Sequence, residues 1–353
     1  MSGLNRRDFL RASALAVGTI VVSSGLQGCL SSSSSDDAAR ELSFNHGVAS
    51  GDPLADRVII WTRVTPLDGR SADISVGWEI ATDAAFTDLV HSGTATTGAA
   101  RDYTLKVDAQ NLLPGTTYYY RFKAADVISP VGRMKTLPAG SIDQVRFAVM
   151  SCSNYPAGYF HVYAAAAAES ELDAVIHLGD YIYEYGNGGY ATEDAAALGR
   201  LLPDNNGGEI LTLTDYRRRY ALYRTDTDLQ SLHAAAPFIA VWDDHEVAND
   251  TWRDGAENHN EGEGDFTARK LAALQAYFEW MPVRPASAND EETIYRRFDF
   301  GDLVSLHMLD TRIIGRDEQL NYANYIGASG FDATAFAADV SDSNRTLLGQ
   351  TQL

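Results

Sequence analysis

Val145-Arg146-Phe147-Ala148-Val149-Met150 runs directly into Ser151-Cys152-Ser153-Asn154, an apolar segment that ends in small polar residues. An alanine-rich amphipathic stretch near Phe160 to Ser170 reads as a helix, and Ala174-Val175-Ile176-His177-Leu178 returns as a buried strand ending in Gly179-Asp180. Strand, helix and strand in that order predict a right-handed parallel crossover in an α/β layered domain. Pro237-Phe238-Ile239-Ala240-Val241-Trp242 repeats the pattern and ends in Asp243-Asp244-His245-Glu246. Functional groups of such sheets gather outside the carboxyl ends of the strands, so a thiol, a carboxylate and a carboxylate-histidine pair are expected on one rim. Further along, a helix around Ala268 to Trp280 and strands near Thr293 to Phe300 and Leu303 to Leu309 complete the pattern, and the chain has no internal repeat.

Toward the N-terminus the period changes. From Phe44 to about Leu137 short alternating runs such as Val58-Ile59-Ile60-Trp61-Thr62-Arg63-Val64 are separated by Gly, Pro and Asp turns, the signature of an all-β sandwich. Leu112-Leu113-Pro114-Gly115-Thr116-Thr117-Tyr118-Tyr119-Tyr120-Arg121 resembles a fibronectin type III strand corner, which makes its tyrosines core residues. The division expected is a β-sandwich at 43–138 and an α/β domain at 139–353. Ahead of them, Asn5-Arg6-Arg7-Asp8-Phe9-Leu10-Arg11 and the apolar Ala12 to Val22 resemble a twin-arginine export signal, and Leu26-Gln27-Gly28-Cys29 resembles a lipoprotein box with Cys29 the acylated residue. Residues 1–28 are thus read as a signal and 29–42, with the run Ser31 to Ser35, as a polar tether holding an exported lipoprotein at a periplasmic or cell-surface membrane. A plain secretory signal cut elsewhere is the alternative. The formal charge of −20 suits solubility and argues against duplex nucleic acid as a partner.

Only two cysteines exist, so with Cys29 acylated Cys152 is either a small buried hydrophobe or a ligand. Its neighbours favour a ligand. Asp180, directly after a strand and a permissive glycine, is placed to bridge cations, and Tyr183 can return to the same ion. A phenol is protonated near neutral pH, so its binding as phenolate calls for a strongly acidic metal such as ferric iron, and a thiolate fits that demand better than a magnesium site would. Asp243 and Asp244 should point to opposite sides of the strand end. Asp244 is taken as the metal ligand, His245 as the catalytic residue that bonds a phosphate oxygen or protonates a leaving group, and Asn249 as a neutral oxygen ligand. An acidic turn with capping residues is the plain alternative for this loop. His177 and His161 read as satisfied core histidines. Arg217, Arg218 and Arg219 read as a solvated helix face that could also meet phosphate, and Arg312 is kept as a phosphate contact.

Ser50-Gly51-Asp52-Pro53, Trp61-Thr62-Arg63, Ser151-Cys152-Ser153, Gly179-Asp180-Tyr181-Ile182-Tyr183-Glu184, Leu213-Thr214-Asp215-Tyr216-Arg217 and Trp242-Asp243-Asp244-His245-Glu246 follow one another in an order that resembles the PhoD-type alkaline phosphatases. The resemblance implies a metallophosphoesterase-like domain after the sandwich and a centre of iron and calcium that hydrolyses phosphomonoesters and often diesters. By analogy with purple acid phosphatases, it makes Asp180 the bridging carboxylate and Tyr183 the ferric-binding phenolate. It also implies a further segment with a Gly-Asp-x-His motif, which is not found before Leu353. The chain is therefore expected to be truncated, with an incomplete sheet and ligand set and little activity. A small phosphate ester as substrate, a membrane reached through a lipid and a monomeric state complete the expectation. The rival readings are a phosphodiesterase or phospholipase D-like esterase and, from another class, a surface-anchored binding protein or inactive fragment.

Overall fold

The computed structural model describes residues 41–287 and 290–352. The export signal, Cys29 and all but the last two residues of the tether lie outside them. The N-terminal part is mainly β: β1 (Val48–Gly51), β2 (Arg57–Arg63), β3 (Ile74–Ala81), β4 (Leu89–Thr97), β5 (Thr104–Gln110), β6 (Thr117–Ala124) and β7 (Gly132–Lys135). In β6 every second residue is buried, so Tyr118, Tyr120 and Phe122 enter the core while Tyr119 stays half-exposed. Strands β7, β6, β3 and β4 form one antiparallel sheet in that order. Its inner face packs on Val48, Val58 and Ile60 of β1 and β2.

The second part is α/β, with β8 (Phe147–Met150), α1 (His161–Ala167), β9 (Ala174–His177), α2 (Leu213–Tyr223), α3 (Thr227–Ala235), β10 (Phe238–Ala240), α4 (Phe266–Trp280), the hairpin β11 (Arg296–Phe300) and β12 (Val304–Met308), and α5 (Ala333–Val340). Local sequence explains the helix starts. Thr212 and Asp215 form a reciprocal capping box on α2, and Asp226 and Asp265 cap α3 and α4. Strands β8, β9 and β10 pair in parallel, with Met150 opposite His177 and His177 opposite Ala240, so their carboxyl ends share one edge.

That sheet does not stop at the expected boundary after residue 138. β10 pairs in parallel with β1 at Phe238 and Gly51, and β1 continues antiparallel into β2 and β5, giving a six-stranded sheet in the order β8-β9-β10-β1-β2-β5. Gly51 permits the junction, because a Cβ there would stand 2.7 Å from the Phe238 carbonyl oxygen and 2.3 Å from that of Pro282. Buried Asp52 locks it, accepting from Arg296 Nη2 at 2.7 Å and Nε at 2.9 Å and from the Arg284 backbone N–H at 2.7 Å. Trp61 of β2 adds a bond from Nε1 to the Glu279 carbonyl at 2.8 Å.

Two side-chain expectations change. His177 is fully buried and bonded, as a core histidine should be: Gly179 N–H donates to its Nδ1 at 3.3 Å and its Nε2 lies 3.1 Å from the Tyr163 hydroxyl. His161 is no core residue; it opens α1 with a 78% exposed side chain and pairs with Asp228 at 2.9 Å. The solvated face expected at 217–219 holds only for Arg218. Arg217 pairs with Glu279, and Arg219 is buried as a strut that donates to the carbonyls of Tyr183, Tyr185, Asn206 and Gly208. Helical period brings Arg219 to the inner face, where carbonyls of an irregular loop need donors.

Candidate metal centre

The turns after β8 and β9 are built by backbone geometry that most side chains avoid. Cys152, Gly179 and Asp180 have φ of +59°, +102° and +53°. Only glycine fits at 179, since a Cβ would lie 2.2 Å from the Asp243 backbone nitrogen. The two turns are joined main chain to main chain, Cys152 N–H to the Gly179 carbonyl at 3.2 Å and Ser153 N–H to the Asp180 carbonyl at 2.8 Å. Residues held in such strained conformations cluster where side chains must be aimed. Here they aim the Cys152 thiol at Asp180 Oδ2 at 3.4 Å, and the Tyr183 hydroxyl donates to the same oxygen at 3.2 Å.

The turn after β10 supplies the rest. Asp180, Asp244 and His245, all buried, each offer one ligand atom, and these atoms lie within 4.8 Å of one another. Asp243 and Asp244 do not face apart as expected, since both pair with Arg312, Asp243 at its Nε at 2.6 Å and Asp244 at its Nη2 at 3.3 Å, although of the two it is Asp244 that joins the cluster. Asp180 Oδ1 is buried and has no hydrogen-bond partner. Burial pushes the Asp180 carboxyl above the ordinary range, with Asp244 and Asp243 adding to this against the pull of His245. Burial, then Asp180 and Cys152, push the Tyr183 phenol far up, and desolvation with Asp180 raises the Cys152 thiol, although that residue is exposed. An orphaned carboxylate oxygen beside a thiol, a phenol and a second carboxylate, each costly to ionise in the others' company, is a donor set that a cation fits.

Behind these groups stand residues that the sequence analysis did not single out. Glu184, fully buried, accepts from His245 Nδ1 at 2.7 Å, from Asn249 N–H at 2.8 Å and from Asn258 Nδ2 at 2.8 Å. The bond fixes the imidazole and leaves Nε2 for the site. Burial lowers the His245 pKa, but the Glu184 bond and charge outweigh it and raise it to about 9. Glu246, equally buried, accepts backbone N–H groups from both turns. Glu184 and Glu246 were inside the quoted motifs; their one visible signal was a carboxylate next to an apolar strand end.

Asn249 lies on the following turn, where its Nδ2 donates to Glu257 Oε2 at 3.0 Å. Arg312 comes to the rim and pairs with Asp243 at 2.6 Å, Asp244 at 3.3 Å and Asp250 at 3.6 Å, while its Nη1 is buried without a hydrogen bond. The structure therefore brings Cys152, Asp180, Tyr183, Asp244 and His245 together, with Arg312 and Asn249 at their edge.

Residues 147–353 match the sequence model of the PhoD-like phosphatases, and residues 29–138 match that of the PhoD-like phosphatase N-terminal domain. The chain is 42% identical over 319 residues to alkaline phosphatase D of Bacillus subtilis strain 168, covering 88% of this chain and 52% of that protein. A solved structure of PhoD superposes with a TM-score of 0.74 at 39% identity, over 88% of this chain and 58% of the other. The chain thus spans about half the length of the curated relative it matches.

Proposed function

The chain belongs to the PhoD-like phosphatase family, and we propose on that premise that its metal centre hydrolyses phosphate monoesters, with diesters as secondary substrates. One observation carries this reading: Cys152 and Tyr183 both converge on Asp180 Oδ2, with Asp244 and His245 within ligand distance of the same carboxylate. Cys152, Asp180, Tyr183, Asp244 and Asn249 would hold the cations, ferric iron on the thiolate and phenolate side and calcium among the oxygens, as the hardness of the donors directs. Bound there, the cations supply Lewis acidity that acidifies water and draws charge from the phosphoryl oxygens.

The protein groups then have separable roles. His245, with Nδ1 committed to Glu184, presents Nε2 to a phosphoryl oxygen or to the leaving oxygen. Arg312, at the rim beside Asp243 and Asp244, supplies a second positive contact for phosphate. The β-sandwich is read as fibronectin type III-like, supported by the bond from Leu113 N–H to the Tyr118 hydroxyl at 2.9 Å, and the second part as metallophosphoesterase-like.

Twin-arginine export through Arg6 and Arg7, acylation of Cys29, a periplasmic or surface location and a monomeric state belong to the same proposal. The acidic charge of −20 favours a small phosphate ester over duplex nucleic acid. The test is Asp180→Ala, which should abolish metal retention and turnover of p-nitrophenyl phosphate together. Unchanged metal content in that variant removes the assignment, and comparison with bis(p-nitrophenyl) phosphate ranks monoester against diester.

A further inference from the structure

We propose that Glu246 is the positioning residue that sets the spacing of the metal-holding side chains by clamping the backbones of the two turns that carry them; this rests on reading the cluster as a metal site. Glu246 Oε2 accepts from Asp180 N–H at 3.1 Å and from Asp243 N–H at 2.9 Å, and Oε1 accepts from Tyr181 N–H at 2.6 Å. The side chain is 1% exposed, so water does not share these bonds.

The three donors need an acceptor. Gly179 and Asp180 both have positive φ, and the consecutive amides of Asp180 and Tyr181 point at the same carboxylate, a small anion-accepting concavity of main-chain N–H groups. Buried amides at a strand end cost free energy unless paired, and the two oxygens of the one Glu246 carboxyl group take all three. The sheet ladder does not take these amides, because β9 ends at His177 and β10 at Ala240.

The clamp joins parts that are distant in sequence. Glu246 belongs to the same turn as Asp244 and His245, whereas two of its three donors belong to the turn carrying Asp180. Moving Asp180 relative to Asp244 therefore requires breaking bonds to Glu246. The ligand atoms of the cluster already lie within 4.8 Å of one another, and the carboxylates of Asp180 and Asp244 among them push apart at that range. A rigid tie behind them keeps the spacing that a cation would need.

The experiment compares Glu246→Gln and Glu246→Ala with the full chain. Residue-resolved amide hydrogen exchange follows Asp180, Tyr181 and Asp243, with Ile176 and Ile239 in the buried strands as internal references for global unfolding. In Glu246→Ala the three amides should exchange at least about tenfold faster while the references hold. Glu246→Gln, which keeps one carbonyl oxygen, should release only part of the set. Calcium binding followed by titration calorimetry should weaken by about tenfold for Glu246→Gln and about a hundredfold for Glu246→Ala.

Unchanged exchange at the three amides overturns the clamp. Faster exchange with unchanged calcium affinity overturns its positioning role. Both measurements are read against the melting temperature, so a variant that merely loosens the whole fold shows itself in the reference amides. A wild-type chain that takes up no calcium, iron or other added cation sinks the metal reading itself, and the exchange data then decide the clamp alone.

Discussion

Tyr183 and His245 stack with ring centroids 4.3 Å apart and planes 29° from parallel. One ring is tied to Asp180 through its hydroxyl and the other to Glu184 through Nδ1, so the stack links the turn after β9 to the turn after β10. The contact also keeps the imidazole from rotating away from the acid that holds it.

The Glu184 bond has a pH signature. Burial lowers and Glu184 more strongly raises the His245 pKa, to about 9 from the ordinary 6.5 of an imidazole. A base whose folded pKa lies above its unfolded one adds stability that is complete below the unfolded value and is lost as pH rises through the folded one. In the metal-free chain, Glu184→Gln should therefore lower the melting temperature most near pH 6 and much less near pH 10. Circular dichroism melts across that range check it, and a difference that does not change with pH contradicts the linkage.

Tyr183→Phe separates metal identity from metal binding. The Tyr183 phenol is pushed far up by burial and then by Asp180 and Cys152, so only a strongly acidic cation can take the place of its proton. The iron-loaded chain should absorb visible light, and the variant should lose that band while keeping cations on Asp180 and Asp244. A colourless wild-type chain with full iron content rules out the phenolate bond.

Asp52→Asn tests the junction of the two parts of the fold. Asp52 is 1% exposed and holds Arg296 through two nitrogens, so its neutralisation leaves a guanidinium without its counter-charge. The expected loss is about 3 kcal/mol in urea denaturation, with much of it recovered when Arg296→Met is combined with it. Additive losses in the double variant would show that the pair is not coupled.

How much of this was legible in the sequence depends on how local the cause is. Cys152, Asp180 and Asp244 could be found because each follows an apolar run that must be a buried strand, and parallel strands deliver their ends to one edge. Tyr183 followed from its spacing to Asp180. Glu184, Glu246 and Arg219 could not be assigned, because each acts on main-chain or ring atoms brought close only by tertiary structure. The sheet junction was hidden for a related reason. The alternation of 48–63 is equally consistent with a self-contained sandwich, and only the neighbouring strand β10 decides where that edge goes. His161 and Arg219 were misread because a single residue in a helix carries little information about which face meets the core.

The strand Val48–Gly51 lies between β2 on one side and β10 on the other, so it is an interior strand of a sheet whose members come from both the mainly β part and the α/β part of the chain. During synthesis it is made long before its partner at 238–240, and until that partner arrives its edge presents open hydrogen-bonding groups. The N-terminal portion is then a half-finished template, vulnerable to pairing with another nascent copy. Melting should correspondingly be a single concerted event, because no cut between the two portions leaves both with a closed sheet.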